Sequence, residues 1–265
     1  MGESPVALIT GGGTGIGAST ARLLAGAGWR IAVMGRRSGP VDAIAVETDG
    51  MAVTGDVASA DDAKRAVDRV VERWGRLDGV VLNAGVGGIG GLADLDPSEF
   101  ESVLRINVTG ALVVAQAALP HLLDARGAIV TVSSVAGLRA SPESLGYCSS
   151  KAALVMLTQC MALDLGPVGV RANCVCPGWT RTPMADGEMD DLAAGIGGDR
   201  EGAYAAVTEN VPLRRPASAD EVAESIVWLM SERASAVNGA VLTVDGGAST
   251  VDVATIPFNG LGSPS

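Results

Sequence analysis

Tyr147 and Lys151 stand four residues apart in the run Tyr147-Cys148-Ser149-Ser150-Lys151. On a helix that spacing puts both side chains on one face, where an ammonium can stabilise a nearby phenolate. A phenol titrates near pH 10, so acting as a base at neutral pH requires a shift of some three units, about 4 kcal/mol of preferential stabilisation of the phenolate. Lys151 can supply part of it. Taken alone, a Tyr and a Lys at helical spacing are an ordinary exposed pair, so their company matters. A second feature is Gly11-Gly12-Gly13-Thr14-Gly15-Ile16-Gly17, set between the apolar run Val6 to Thr10 and an Ala/Leu-rich stretch that ends at Gly28. A pyrophosphate can approach backbone amides only where side chains are absent, and a helix amino terminus adds roughly half a positive charge. Gly11, Gly15 and Gly17 meet that need. Their spacing is G-x-x-x-G-x-G, not the commoner G-x-G-x-x-G, and a tight strand-to-helix turn would call for glycine whatever binds there.

Positioning these groups requires strands and helices in alternation, and the chain supplies them. Strand candidates are Val6 to Thr10, Ile31 to Met34, the surroundings of Val53, Leu77 to Leu82, Ala128 to Ser133, Val170 to Cys176 and Val241 to Val244. Helical stretches include 60 to 74, 97 to 124, 146 to 165 and about Asp220 to Ser231. About seven strands separated by about six helical crossovers predict an α/β fold, a single doubly wound parallel sheet of the Rossmann-like kind with helices on both faces. One domain would span 1–265. Residues 184–210 lack strand character and carry five glycines, so they read as a substrate lid, and 248–265 reads as an irregular tail in which Ile256, Pro257 and Phe258 could dock.

Read in order, Thr10-Gly-x-x-x-Gly-x-Gly17, Asn83-Ala84-Gly85, Asn107, Ser134, Tyr147-x-x-x-Lys151 and Pro177-Gly178 resemble the short-chain dehydrogenase/reductase family. The likeness runs from about Val6 to Gly247. It implies a nicotinamide dinucleotide held by Gly11, Thr14, Gly15, Ile16 and Gly17, with Asp56 and Val57 bordering the adenine. Asn83, Ala84 and Gly85 would line the adenosine ribose. Pro177, Gly178, Thr180 and Thr182 would surround the nicotinamide, Thr182 bonding its carboxamide; the family usually has Ile or Val where Thr180 stands. Tyr147 would be the general acid/base, with Lys151 beside it donating to the nicotinamide ribose. Ser134 would hold the substrate oxygen, and strand alternation turns Ser133 to the other face. Asn107 would kink its helix and bind, through its carbonyl, a water leading from Lys151 to solvent. The family also implies a homo-oligomer, a tetramer or dimer, built on helices 97–124 and 146–165 and the last strand region. Leu112, Val113, Leu154 and Leu157 suit an interface or the core equally.

After the second strand comes Met34-Gly35-Arg36-Arg37, with no carboxylate to accept from a ribose 2′-hydroxyl. Two guanidiniums there predict NADP(H), with NAD(H) possible if Arg36 stacks on adenine and Arg37 is solvated. The expected reaction is hydride transfer between a secondary alcohol and a ketone, without a metal. The alternatives are an idle dinucleotide-binding regulatory module, or an epimerase or dehydratase using its cofactor transiently. The pocket segments Val86 to Leu92, Leu138 to Leu145 and Trp179 to Val211 favour a largely apolar small-molecule carbonyl, although Arg139, Arg181 and Arg200 lie among them.

Composition narrows the partners. A net charge of −11 disfavours nucleic acid and anionic membranes, and no consecutive apolar run reaches the ~18 residues of a span. Without a basic, apolar, small-residue leader the protein is expected in the cytoplasm. Cys148, Cys160, Cys174 and Cys176 read as reduced thiols, the last pair as small core residues rather than metal ligands, and His121 as a helix-surface residue.

Overall fold

Alternate residues of the central strands serve opposite faces of one sheet, and both faces are dry. In β1 (Val6–Thr10), Leu8 joins one apolar layer and Ile9 the other, and in β4 (Gly79–Leu82) Val80 and Val81 divide in the same way. All four are fully buried. Strands buried on both faces read as continuous Val, Ile, Leu and Ala, which is the pattern of this sequence.

The computed structural model describes residues 4–258. Its seven parallel strands run in the order β3-β2-β1-β4-β5-β6-β9, where β2 is Arg30–Gly35, β3 Met51–Thr54, β5 Ala128–Val132, β6 Arg171–Pro177 and β9 Val241–Val244. The order reverses between β1 and β4, so their carboxyl ends splay apart and open a crevice. Helices α1 (Gly15–Gly26), α2 (Ser38–Glu47) and α9 (Ala219–Met230) cover one face. The other face is covered by α3 (Ala60–Trp74), α5 (Gly110–Ala125) and α6 (Leu145–Leu165), with α4 (Pro97–Leu104) packed on α6. The ends of α3 follow from local chemistry. Ser59 accepts from the Asp62 amide at its start, and Gly75 closes it in the left-handed conformation.

Several expectations are corrected. The stretch 97 to 124 is not one regular helix: a π turn, Arg105–Thr109, separates α4 from α5 and carries Asn107. Residues 184 to 210, read as lacking strand character, are helical: α7 (Pro183–Ile196) and α8 (Arg200–Thr208) bury Ala185, Met189, Ala193, Ala203 and Tyr204 against one another. A short parallel pair, β7 (Thr180–Arg181) with β8 (Ala217–Ser218), anchors this layer. In the tail, Ala248–Thr250 and Val253–Phe258 form 3₁₀ turns, with Phe258 exposed; Asn259 to Ser265 lie outside the described residues. Two helical stretches, Pro97–Ala125 and Leu145–Val168, are long and apolar enough by length and composition to cross a bilayer, which a search for uninterrupted apolar runs overlooks. Each packs on the sheet as part of a core layer. Leu154 belongs to that core, Val113 and Leu157 pack against it, and Leu112 is exposed.

Candidate active site

Thr10, the last residue of β1, organises the crevice. Its hydroxyl donates to the Val81 carbonyl and accepts from the amides of Asn83 and Ala84, joining the two strands that part at the switch point. The Asn83 side-chain amide donates in turn to the carbonyls of Thr10 and Gly11, holding the glycine turn against β4. Gly11 and Gly15 are left-handed, at φ +63 and +53, where other residues are strained. Gly17 is required for space, since a Cβ there would collide with the Gly11 carbonyl oxygen. Gly12 is equally constrained, because its Cβ would meet Val33 at 2.7 Å; only the packing against β2 reveals this. The Thr14 side chain makes no capping bond to α1, so the first amides of that helix remain open to an anion. This bare cradle fits a dinucleotide pyrophosphate.

A cavity of about 390 Å³ runs from the cradle across the carboxyl ends of the strands. Gly11, Thr14, Gly15, Ile16, Asn83, Ala84 and Gly85 line one end. Ser134, Tyr147, Lys151, Pro177, Gly178, Thr180 and Thr182 line the remainder. Thr182 lies against the turn: a Cβ on Gly15 would be 3.1 Å from its methyl. Its hydroxyl caps α7 by accepting from the Ala185 amide, which leaves its proton free to donate. Thr180 is buried and donates to the Gly178 carbonyl at 3.0 Å, which satisfies a hydroxyl in an apolar niche. Gly17, Arg36, Arg37, Asp56 and Val57 do not line the cavity. Arg36 and Arg37 are exposed after β2 and make no hydrogen bond or ion pair within the described residues. Asp56 accepts from the Ala58 amide and lies 3.9 Å from Arg105, while Val57 is buried against Gly110.

Around Tyr147 the expected companions converge. Ser134 follows β5 in extended conformation; its hydroxyl accepts from the Ala136 amide and lines the same cavity as the Tyr147 phenol, near enough to lower its pKa. Ser133 turns away and donates to the Lys151 carbonyl at 2.7 Å, fixing α6 to the strand. The Lys151 ammonium donates to the Val132 carbonyl at 3.1 Å and stands 5.5 Å from the centre of the Tyr147 ring, so the pair does share a helical face. Asn107 is fully buried: its Oδ1 accepts from the Val86 amide, and its Nδ2 donates to the Val86 carbonyl and to Ser150. A Cβ on Gly85 would lie 3.3 Å from Asn107 Oδ1 and 3.4 Å from Lys151 Nζ, which places the π turn beside the ammonium.

The electrostatics correct one expectation. Lys151 does not make the phenol acidic in the free protein. Burial pushes Tyr147 above the ordinary phenol range, only partly opposed by the nearby Ser134 hydroxyl, and Glu188 raises it further. The same burial lowers Lys151 to about 8. Helical spacing reports that the two groups are neighbours; it carries no information on how dry the site is. Sequence reasoning also passed over Glu188, one of four carboxylates between 186 and 191, which only the fold turns to the cavity mouth. Arg181 and Arg200, by contrast, pair with Glu201 and Asp190 away from the cavity, and Arg139 reaches the Ser249 carbonyl. Cys174 and Cys176 are buried core residues of β6.

A parallel sheet with a bare glycine cradle at its switch point, leading to a half-buried Ser and Tyr and a buried Lys, defines a dinucleotide-dependent dehydrogenase or reductase. The chain belongs to the short-chain dehydrogenase/reductase family, and the family model described as enoyl-(acyl carrier protein) reductase matches residues 11–249. It is 41% identical to protein MoaE of Klebsiella aerogenes over 96% of this chain and 98% of the relative. It is 33% identical to meso-2,3-butanediol dehydrogenase of Serratia marcescens over 94% and 96%. Among solved structures, an actinorhodin polyketide ketoreductase variant with NADPH superposes with a TM-score of 0.89 at 33% identity, covering 94% of this chain and 98% of that one. A 3-ketoacyl-(acyl-carrier-protein) reductase from Brucella melitensis complexed with NADH gives 0.83 at 27% identity, covering 93% and 99%. The protein is an NAD(P)-dependent oxidoreductase of the secondary alcohol/ketone pair.

Proposed function

We propose that Tyr147 is the general acid/base of this oxidoreductase, with Ser134 holding the substrate oxygen, Lys151 setting the charge beside the phenol, and Asn107 positioning Lys151 and the 85–86 turn. The observation that carries this reading is that Ser134, Tyr147 and Lys151 line one cavity continuous with the glycine cradle. Bound dinucleotide supplies the hydride donor or acceptor. The protein's part is to place a carbinol or carbonyl oxygen between the two hydroxyls. In reduction, Ser134 donates to the oxygen as negative charge grows on it, and Tyr147 delivers its proton there. In oxidation the proton returns to the phenol oxygen. Lys151 and Thr182 would hold the nicotinamide ribose and carboxamide, Pro177, Gly178 and Thr180 its surroundings, Asn83 to Gly85 the adenosine ribose, and Asp56 with Val57 the adenine edge. Following nicotinamide absorbance while substrate is consumed tests the reading. Consumption without any change in absorbance would favour an epimerase or dehydratase, and binding without consumption an idle regulatory module.

NADP(H) is the preferred cofactor in this reading, with NAD(H) the secondary one. Arg36 and Arg37 are free to take a 2′-phosphate at the carboxyl end of β2, and the first turn of α2 holds no acidic residue to repel it. Each guanidinium contact to phosphate is worth about 1.5 kcal/mol or more, roughly tenfold. Replacing both by Ala should therefore lower kcat/KM for NADP+ by about 10²-fold and leave NAD+ within about threefold. An equal fall for both cofactors would refute the assignment.

The substrate is a small carbonyl or alcohol with a largely apolar body, for Trp179 and Met184 wall the cavity and no arginine among the described residues lines it. Helices α7 and α8 would serve as the lid of a single catalytic domain spanning 1–265, located in the cytoplasm. Exposed Leu112, Leu123, Met156 and Leu163 on α5 and α6 support a homo-oligomer built on those helices, a tetramer or dimer. Light scattering at four times 26.6 kDa is the expected result, and a monomer would refute it.

A further inference from the structure

Among the described residues, one charged side chain besides Lys151 lines the cavity: Glu188. It sits on α7 one turn after Ala185, which faces the same space, while the next residue, Met189, points into the small core shared with α8. Its carboxylate reaches across the mouth to the opposite wall, where a Cβ on Gly87 would stand 3.6 Å from Oε1. No hydrogen bond or ion pair within the described residues engages it, although its neighbours Asp186 and Asp190 are both paired with Arg200. Its field is felt at the Tyr147 phenol. Partial burial and Asp191 also raise its own carboxyl, as expected of an acid with no cation paired to it. A substrate lodged against Tyr147 therefore presents its far end to a carboxylate that no described side chain pairs.

We propose that Glu188 selects the substrate: it accepts a hydrogen bond from a second donor group near the carbinol, a hydroxyl or an ammonium, and turns away substrates bearing a carboxylate or phosphate. This rests on the alcohol/ketone reading above and adds a substrate class to it. The apolar body predicted for the substrate is kept, with one donor at its outer end. Because Glu188 is exposed on its solvent side, water competes for it, and the discrimination is of the order of tenfold rather than a thousandfold.

Four alcohols of similar size test it with NADP+: 2-butanol, 2,3-butanediol, 1-amino-2-propanol and lactate. The native protein should give kcat/KM for the diol and the amino alcohol about tenfold above 2-butanol, and lactate about tenfold below it. In Glu188→Leu these ratios should collapse toward one, chiefly through KM. Glu188→Gln should keep the preference for the diol, lose that for the ammonium and relieve the exclusion of lactate. Ratios in Glu188→Leu within twofold of the native ones would overturn the proposal. Should no alcohol be oxidised, the oxidoreductase roles fail first, and calorimetric titration of 1-amino-2-propanol into the NADP+-saturated protein still decides on Glu188. Binding that weakens about tenfold in Glu188→Leu supports the proposal, and equal binding refutes it.

Discussion

Replacing Tyr147 with Phe is expected to lower kcat by about 10³-fold or more while leaving dinucleotide affinity within about threefold. The substitution deletes one oxygen and keeps the ring, so the packing of α6 against β5 and the position of Lys151 survive. What disappears is the hydroxyl that delivers a proton to the substrate oxygen beside Ser134. Removing Ser134 as well should add little, because two groups acting on one oxygen fail together. The free phenol, raised by burial, keeps its proton at neutral pH and is charged only in alkali. Reduction, which needs the acid form, should therefore proceed at pH 7, and kcat/KM for oxidation should climb as pH rises from 7 toward 10. Fluorescence titration with NADPH and the two pH profiles check this. Turnover within tenfold of native would remove Tyr147 from the mechanism.

The sheet was readable because its physics is one-dimensional. A strand covered on both faces has to be apolar at consecutive positions, and Val6-Ala7-Leu8-Ile9 or Ala128-Ile129-Val130 announce this without tertiary knowledge. The glycine cradle was readable for a similar reason, since its conformation is local. Glycine at 12 was harder to interpret, because what forbids a side chain there is Val33 of a neighbouring strand. The helices of 184–210 were obscured by their spacing of small residues. Ala185, Met189 and Ala193 bury a stripe four residues apart, but Gly187 and Gly195 lie within the same helix and acidic residues fill its other faces. That pattern gives little apolar contrast, and it becomes a helix because Tyr204 of α8 is there to pack on it.

The candidate chemistry divides along the same line. Identity and spacing revealed which groups meet: Ser134 with Tyr147, Lys151 one turn on, Asn107 beside Gly85. They could not reveal the electrostatic balance, which depends on how much water the assembled layers exclude. The lysine offered as the source of phenol acidity is itself short of solvation, and among the described residues its ammonium donates to a neutral carbonyl alone. Its charge becomes useful when something in the crevice repays that desolvation, which links the ionisation of Lys151 to occupancy of the site.

That cost can be measured. Lys151 is 5% exposed and its pKa falls from the ordinary 10.5 to about 8. Below pH 8 it is charged in both folded and unfolded chains, and the folded state bears the full penalty of about 3 kcal/mol. Between pH 8 and 10.5 the unfolded chain holds a proton the folded one has released, so stability contributed by this group rises with pH and levels off above 10.5. Lys151→Met keeps the aliphatic stem, removes the charge and leaves the Val132 carbonyl without its donor, at a cost of about 1 kcal/mol. The variant should thus be more stable than the native protein at pH 7 by about 2 kcal/mol, raising Tm by several degrees, while kcat/KM falls by about 10²-fold or more. The gain should shrink steadily above pH 8, reverse between about pH 9.5 and 10, and leave a deficit of about 1 kcal/mol above 10.5, where only the lost hydrogen bond remains. A lower Tm at pH 7, or a gain independent of pH, would show that burial of this ammonium costs the fold nothing.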